Sequence, residues 1–201
     1  VAVWEKIAAK YKNEKSIYGY DILNEPREDN YKYTENGPLD WNRLSERVAR
    51  AIRKIDPSTP IIVEAPNWAN PAGFSGLSPI DLPGIIYSVH FYIPHDITHQ
   101  GVHNSAKDFN YPGEVKGVMW NKDQLRKALA PVIAFQKKWN VPIYVGEFGC
   151  IRWAPGDSRE RYIQDCIEIF EEQGWDWTYH AFREWDGWSV EHIGSKPNSS
   201  G

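Results

Sequence analysis

A parallel α/β fold is what the order of patterns along this chain predicts. Short β-rich apolar runs recur with helical stretches between them, and no two runs are joined by a hairpin signal. The 201 residues are enough for a sizeable core and about one domain. Strand, helix and strand repeated in this way require parallel strands joined by right-handed crossovers. An open doubly wound sheet and a closed barrel both satisfy the pattern. No run is followed by a Gly-rich phosphate loop, which weighs against the nucleotide-binding open sheet.

Taken in order, the chain opens on "VAVWEKIAAKYK", a helical pattern, so it is expected to start inside an element. The lack of a visible signal peptide then says little about location. The first β-rich run is Ile17–Leu23. Trp41, Leu44, Val48, Ile52 and Ile55 follow with helical spacing and stop before Pro57. Pro60–Glu64 and Ile85–Tyr92 read as the next two strands. Leu125, Ala128, Leu129, Val132, Ile133 and Phe135 again have helical spacing, with a kink expected at Pro131. Pro142–Gly146 is the fourth strand. A helix from Asp157 to Phe170 opens with Asp157 and Glu160 in capping-box spacing and stops near Gly174. Trp177–Phe182 is the fifth strand, and residues 193–201 read as a flexible tail.

In parallel α/β folds chemistry gathers at the C-terminal ends of the strands. The first end offers Asn24 and Glu25, and the second Glu64, Asn67 and Trp68. The third has His90 and Tyr92, two apart and so on one face. The fourth has Glu147 in phase with Ile143 and Val145, and the fifth has Trp185 in phase with Tyr179 and Ala181. Any one of these could be structural: Glu25 a helix-start acid, His90 a satisfied core histidine, Tyr92 ordinary packing. Together they make a site. Two carboxylates near an aromatic floor suit glycoside hydrolysis, in which one acid protonates the leaving oxygen and the other attacks the anomeric carbon. Mutual repulsion separates their pKa values, so one geometry serves both roles. Asn24 can hydrogen-bond the sugar 2-hydroxyl, and Tyr92 can orient the nucleophile.

The composition agrees. The chain has ten tryptophans and eleven tyrosines. Trp4, Trp41 and Trp139 fit helical core positions, while Trp68, Trp120, Trp153 and Trp188 are candidate sugar platforms, since flat rigid rings grip sugar faces at little entropic cost. A net charge of −4 gives no footprint for nucleic acid, and no apolar run is long enough to span a membrane. Cys150 and Cys166 are too few for a disulfide framework and lack metal-ligand spacing. His95, His99 and His103 fall at intervals of four, which on a helix could bind a metal. Pro94, Ile97, Thr98 and Gly101 argue against a helix there, and no metal is expected. The long segment from Ile93 to Trp120 is expected to wall a cleft.

"DILNEP", "VHFY", "VGEFG" and the tryptophan of "REW" resemble glycoside hydrolase family 5, the cellulase-type β-glycanases, over about Ile17 to Trp188. The resemblance implies a partial TIM (β/α)8 barrel, strands four to eight with their helices, as one incomplete catalytic domain over residues 1–201. It implies Glu25 as general acid/base and Glu147 as nucleophile, with Asn24, His90, Tyr92 and Trp185 at the point of cleavage, and Trp68 also expected to bind substrate. It implies no cofactor and no metal, a β-glucan substrate, retaining endo-β-1,4-glucanase action, and an extracellular or periplasmic place for the full-length enzyme. A mannanase, xyloglucanase or β-1,3-glucanase is the alternative, or a non-catalytic carbohydrate-binding barrel. The first three strands of the family, with an arginine and a histidine they carry, have no counterpart in this sequence. Open barrel edges are therefore expected to make this chain self-associate and to leave it with little hydrolytic activity.

Overall fold

A computed structural model of the chain describes residues 1–27 and 40–191. The expected tail lies outside them. The elements run α1 (Ala2–Tyr11), β1 (Tyr20–Asp21), α2 (Trp41–Ile55), β2 (Ile61–Glu64), β3 (Ile85–Phe91), α3 (His95–Thr98), β4 (Gly113–Val115), β5 (Val118–Trp120), α4 (Lys122–Ala128), α5 (Ala130–Trp139), β6 (Ile143–Phe148), α6 (Ser158–Gln173) and β7 (Asp176–Trp177). The main sheet has the strand order β1-β2-β3-β6-β7, and β4-β5 is a separate antiparallel hairpin. β1 is parallel to β2 with Tyr20 opposite Ile61, and β2 is parallel to β3 with Ile61 opposite Ile85. This is the parallel α/β order expected from the sequence.

By its contacts the chain forms two compact units. Among the described residues the first comprises 1–27, 40–89 and 131–144, and the second 90–130 and 145–191.

In the first unit, α2 starts where the Asp40 side chain accepts the Arg43 N–H at 2.8 Å. It buries Trp41, Ser45, Val48, Ala49 and Ile52, the i, i+4, i+7, i+8, i+11 face of an amphipathic helix. β2 is buried at every position, as a central parallel strand should be. Phe135 of α5 packs edge-on against Phe74 and Tyr87. Below the sheet Asp56 is fully buried, and its carboxylate accepts from Tyr20 Oη, Ser58 N–H and Thr59 N–H. Burial alone would raise its pKa, but these donors hold it well below the usual carboxylate range. Trp139, expected in the core, is instead 43 % exposed at the last turn of α5. Its helical spacing is correct, but it sits past the buried Val132 and Phe135.

In the second unit, Phe170 of α6 contacts Phe91, Phe148 and Trp175, and Tyr162 lies across Tyr111. Cys150 and Cys166 are free thiols with no exposed surface. Asp157 stands at the N-cap of α6, but the expected capping box does not form. The Asp157 carboxylate pairs with Arg161 at 2.7 Å, leaving no side-chain cap bond. Gly174 ends the helix in the left-handed region at φ 69°, as expected. The kink near Pro131 is a break at Leu129 between α4 and α5.

Two further expectations change. β1 is two residues long where Ile17–Leu23 was expected, and β7 ends at Trp177 rather than Phe182. Past β7 the chain still donates from Thr178 N–H to Val145 O and from His180 N–H to Phe148 O. It then turns, and the N–H groups of Trp188 and Ser189 both donate to Trp185 O. Trp185 therefore belongs to a turn, not to an alternating strand, because the local backbone bonds replace the ladder. The second concerns the histidine-rich loop. His95–Thr98 does form one helical turn despite its β-branched residues.

Candidate active site

In the first unit, Glu25 lies four residues past the short first strand and takes φ +46°, a left-handed conformation uncommon outside glycine. Its backbone N–H donates to a Glu64 carboxylate oxygen at 2.6 Å. Glu64 is itself almost completely buried at the end of β2, and its backbone carbonyl takes the Trp41 indole N–H at 2.7 Å. The next turn is also left-handed: Asn67, Trp68 and Ala69 have φ between 52° and 61°. Three such non-glycine residues in a row are costly and persist only where surrounding bonds fix them. Here the Trp68 N–H donates to Pro26 O at 3.3 Å and the Ala69 N–H to Ala65 O at 3.1 Å. The result is an exposed Trp68 indole, with the Arg27 guanidinium 4.5 Å from its ring centroid. Asn24 is exposed beside Glu25. The first unit thus presents Asn24, Glu25 and Trp68 from adjoining, mutually bonded turns.

In the second unit, Glu147 lies within β6, whose neighbours Val145 and Phe148 are fully buried. Tyr92 Oη donates to Glu147 Oε2 at 2.8 Å, and His90 Nδ1 stands 3.7 Å from the same oxygen. His90 is 5 % exposed, so it approaches the carboxylate from the protein side. Behind Tyr92 the Thr98 hydroxyl donates to Tyr92 O at 2.8 Å and meets His99 Nδ1 at 2.9 Å. His99 lies edge-on to Tyr92 and Trp188, and His95 stacks on it face to face at 3.7 Å. Burial, and then the neighbouring His95, push the His99 imidazole down to about 3. Burial also lowers His95. The pair therefore stays neutral at ordinary pH, in a stack and not aimed at a common ligand. His103 takes the left-handed region at φ 47°. Trp185, 42 % exposed, reaches Tyr92 through Trp188, with ring centroids 4.8 Å and then 6.4 Å apart.

His90, Tyr92 and Glu147 thus come together in the second unit, with Trp185 one ring removed. Sequence reasoning missed the role of Glu64, which fixes the backbone of Glu25, and the Thr98–His99 support behind Tyr92. Glu64 was visible as a strand-end acid, but nothing in its spacing separates a partner for a backbone N–H from a reacting group. Trp188, a candidate platform, is buried packing.

Parallel strands joined by helices, with acids at their C-terminal ends, define a chain of the parallel α/β enzyme class. Residues 1–186 match the family model described as cellulase (glycosyl hydrolase family 5), and the chain belongs to that family. It is 32 % identical over 207 residues to Endoglucanase C of Acetivibrio thermocellus, covering 89 % of this chain and 58 % of that protein. Endoglucanase 3 of Fibrobacter succinogenes is 25 % identical over 211 residues, with 89 % of this chain and 32 % of that one covered. Among solved structures, a hyperthermophilic endo-β-1,4-glucanase in complex with substrate superposes with a TM-score of 0.75 at 32 % identity, over 94 % of this chain and 58 % of that one. Thermotoga maritima Cel5A with cellobiose gives a TM-score of 0.77 at 27 % identity, over 94 % and 59 %. The chain thus spans between 32 % and 59 % of the length of these relatives, consistent with part of a (β/α)8 barrel.

Proposed function

We propose that the protein is a retaining β-glycanase acting on β-1,4-glucan, with Glu147 as nucleophile and Glu25 as general acid/base. The observation that carries this reading is the bond from Tyr92 Oη to Glu147 Oε2 at 2.8 Å. A phenol donating to one oxygen fixes the carboxylate and leaves the other free to attack an anomeric carbon. Glu147 attacks and forms a glycosyl ester as the glycosidic bond breaks. Glu25 gives its proton to the departing oxygen, then takes one from the water that cleaves the ester. Asn24 hydrogen-bonds the 2-hydroxyl, and Trp68 and Trp185 offer aromatic faces to neighbouring sugars. Family membership and the endoglucanase names of the relatives support the substrate class. We place the enzyme outside the cytoplasm, where polymeric glucan is met. Among the described residues no helix is long and apolar enough to cross a membrane.

The test is to incubate the protein with an activated 2-deoxy-2-fluoro cellobioside and digest it. The expected result is a glycosyl adduct on the peptide that holds Glu147. An adduct on another carboxylate, or an α-configured first product by proton NMR, would overturn the assignment. One structure of Thermotoga maritima Cel5A holds mannotriose, and this motivates a second reading as a β-mannanase. Parallel rates on soluble glucan and mannan decide between the two.

A further inference from the structure

On the first unit, between residues 74–79 and the helix α5, lies an open groove of about 370 Å³. One wall is the outer face of α5, where Pro131, Ala134, Lys138 and Trp139 follow the i, i+3, i+7, i+8 rhythm. The other wall is the loop Ser75–Pro79, and Phe74, Leu77 and Phe135 make a nearly buried apolar floor. We propose that this groove is a second glycan-binding site, taking a strand of the β-1,4-glucan substrate on the flank of the protein. The inference rests on the β-glycanase reading.

Three features point to a sugar chain as occupant. The walls differ in chemistry: one carries the half-exposed indole of Trp139, the other the exposed Ser75 and Ser78. A β-linked glucosyl ring has C–H groups on its faces and hydroxyls around its rim, so it needs an aromatic surface on one side and hydroxyl partners on the other. Length also fits. Eight residues of helix span roughly 12 Å at ~1.5 Å each, room for about two consecutive rings. The volume lies within the roughly 300–1,000 Å³ of small-molecule sites.

The hydroxyl wall is also prearranged. The Asn42 side chain donates to Gly76 O at 2.9 Å and accepts the Ser78 N–H at 2.8 Å, tying the loop to α2 on both sides of Leu77. Tyr87 Oη accepts the Ile80 N–H at 2.7 Å and fixes the loop's exit. On the opposite wall Lys138 Nζ lies 4.5 Å from the Trp139 ring centroid and restrains the indole. A groove whose walls are already fixed loses little entropy on binding a stiff polymer.

The test uses the isotope-labelled chain carrying Glu147→Gln, to suppress hydrolysis, with cellotetraose as probe in NMR titrations. The Trp139 indole N–H and the Ser75 and Ser78 amides should shift together along one binding curve. Trp139→Ala should weaken that curve about tenfold or more, the scale of losing an aromatic face, and leave the Trp185 indole response unchanged. If Trp139→Ala loses its folded spectrum, the double variant Ser75→Ala/Ser78→Ala reads the opposite wall, with a several-fold loss expected. Shifts at Trp185 with none at Trp139 would overturn the groove and leave the β-glycanase reading standing. Shifts at Trp139 with none at Trp185, Trp68 or Tyr92 would support the groove and count against that reading. Silence at all of them overturns both.

Discussion

The two strand-end glutamates are held in opposite ways. Glu25 follows a strand of only two residues and is fixed through its backbone, by a left-handed φ of 46° and by the N–H bond to buried Glu64. Glu147 lies within a six-residue strand and is fixed through its side chain, by Tyr92 at 2.8 Å with His90 close behind. The difference matches the proposed roles. A nucleophile must aim one oxygen along a fixed line, so donors to its carboxylate help it. A proton donor that later becomes a base must serve two partners in turn, so a placed backbone with an adjustable side chain suits it better.

Substitutions sharpen or break this contrast. Glu147→Ala should remove turnover to background on every substrate, because no ester can form. Residual turnover on aryl cellobiosides above that background would end its claim as nucleophile. Glu25→Ala should lose about 10²–10⁴-fold on glucan and far less on aryl glycosides whose leaving groups need little protonation. Equal losses on both substrates would remove the distinction between the acids. Tyr92→Phe deletes the donor to Glu147 and should lower kcat by roughly 10–100-fold, the worth of a ~1.5–3 kcal/mol bond to a charged group. This loss should fall equally on both substrate types. Glu64→Ala frees the backbone of Glu25 and should cost about tenfold on glucan, with aryl glycosides nearly spared. Loss on both alike would mean that Glu64 supports the fold and not the acid.

The smallest effect concerns acid stability behind Tyr92. The His99 imidazole titrates near 3 in the folded chain and near ~6.5 when unfolded, so between these values the unfolded chain binds more protons. Stability should therefore be full above about pH 6.5 and fall as the pH drops toward 3. His99→Phe should flatten a urea-denaturation profile between about pH 6.5 and 4. Asp56, held below its usual range, should erode stability only further down, below its unfolded value of ~3.9. An unchanged profile in His99→Phe would show that the neutral imidazole stack carries no proton linkage.

The order of elements and the strand-end residues were legible because buried parallel strands and amphipathic helices leave plain periodicities. "IIVE" is buried throughout, and α2 keeps its apolar face from Trp41 to Ile52. The last strand misled for a physical reason. Alternation in "YHAFREW" mimics a strand, yet the turn that bonds Trp188 and Ser189 to Trp185 O lies after it and carries no pattern of its own. The capping box failed because Arg161, four residues on, competes for the Asp157 carboxylate. The supports of the site were invisible for a different reason. Glu64 meets Glu25 across 39 residues and Tyr92 meets Glu147 across 55, and no local spacing encodes such pairs.

The two buried thiols give the molecule a built-in clock. Burial pushes Cys150 up to about 12 and holds Cys166 well above the usual thiol range, and neither side chain touches solvent. Reaction with a thiol reagent needs both access and the thiolate, so the native chain is silent and each labelling event records an opening. Cys150 lies two residues past β6, while Cys166 sits mid-way along α6. Their separate labelling rates would therefore show whether the strand that carries Glu147 opens on its own or only when the helix behind it lets go.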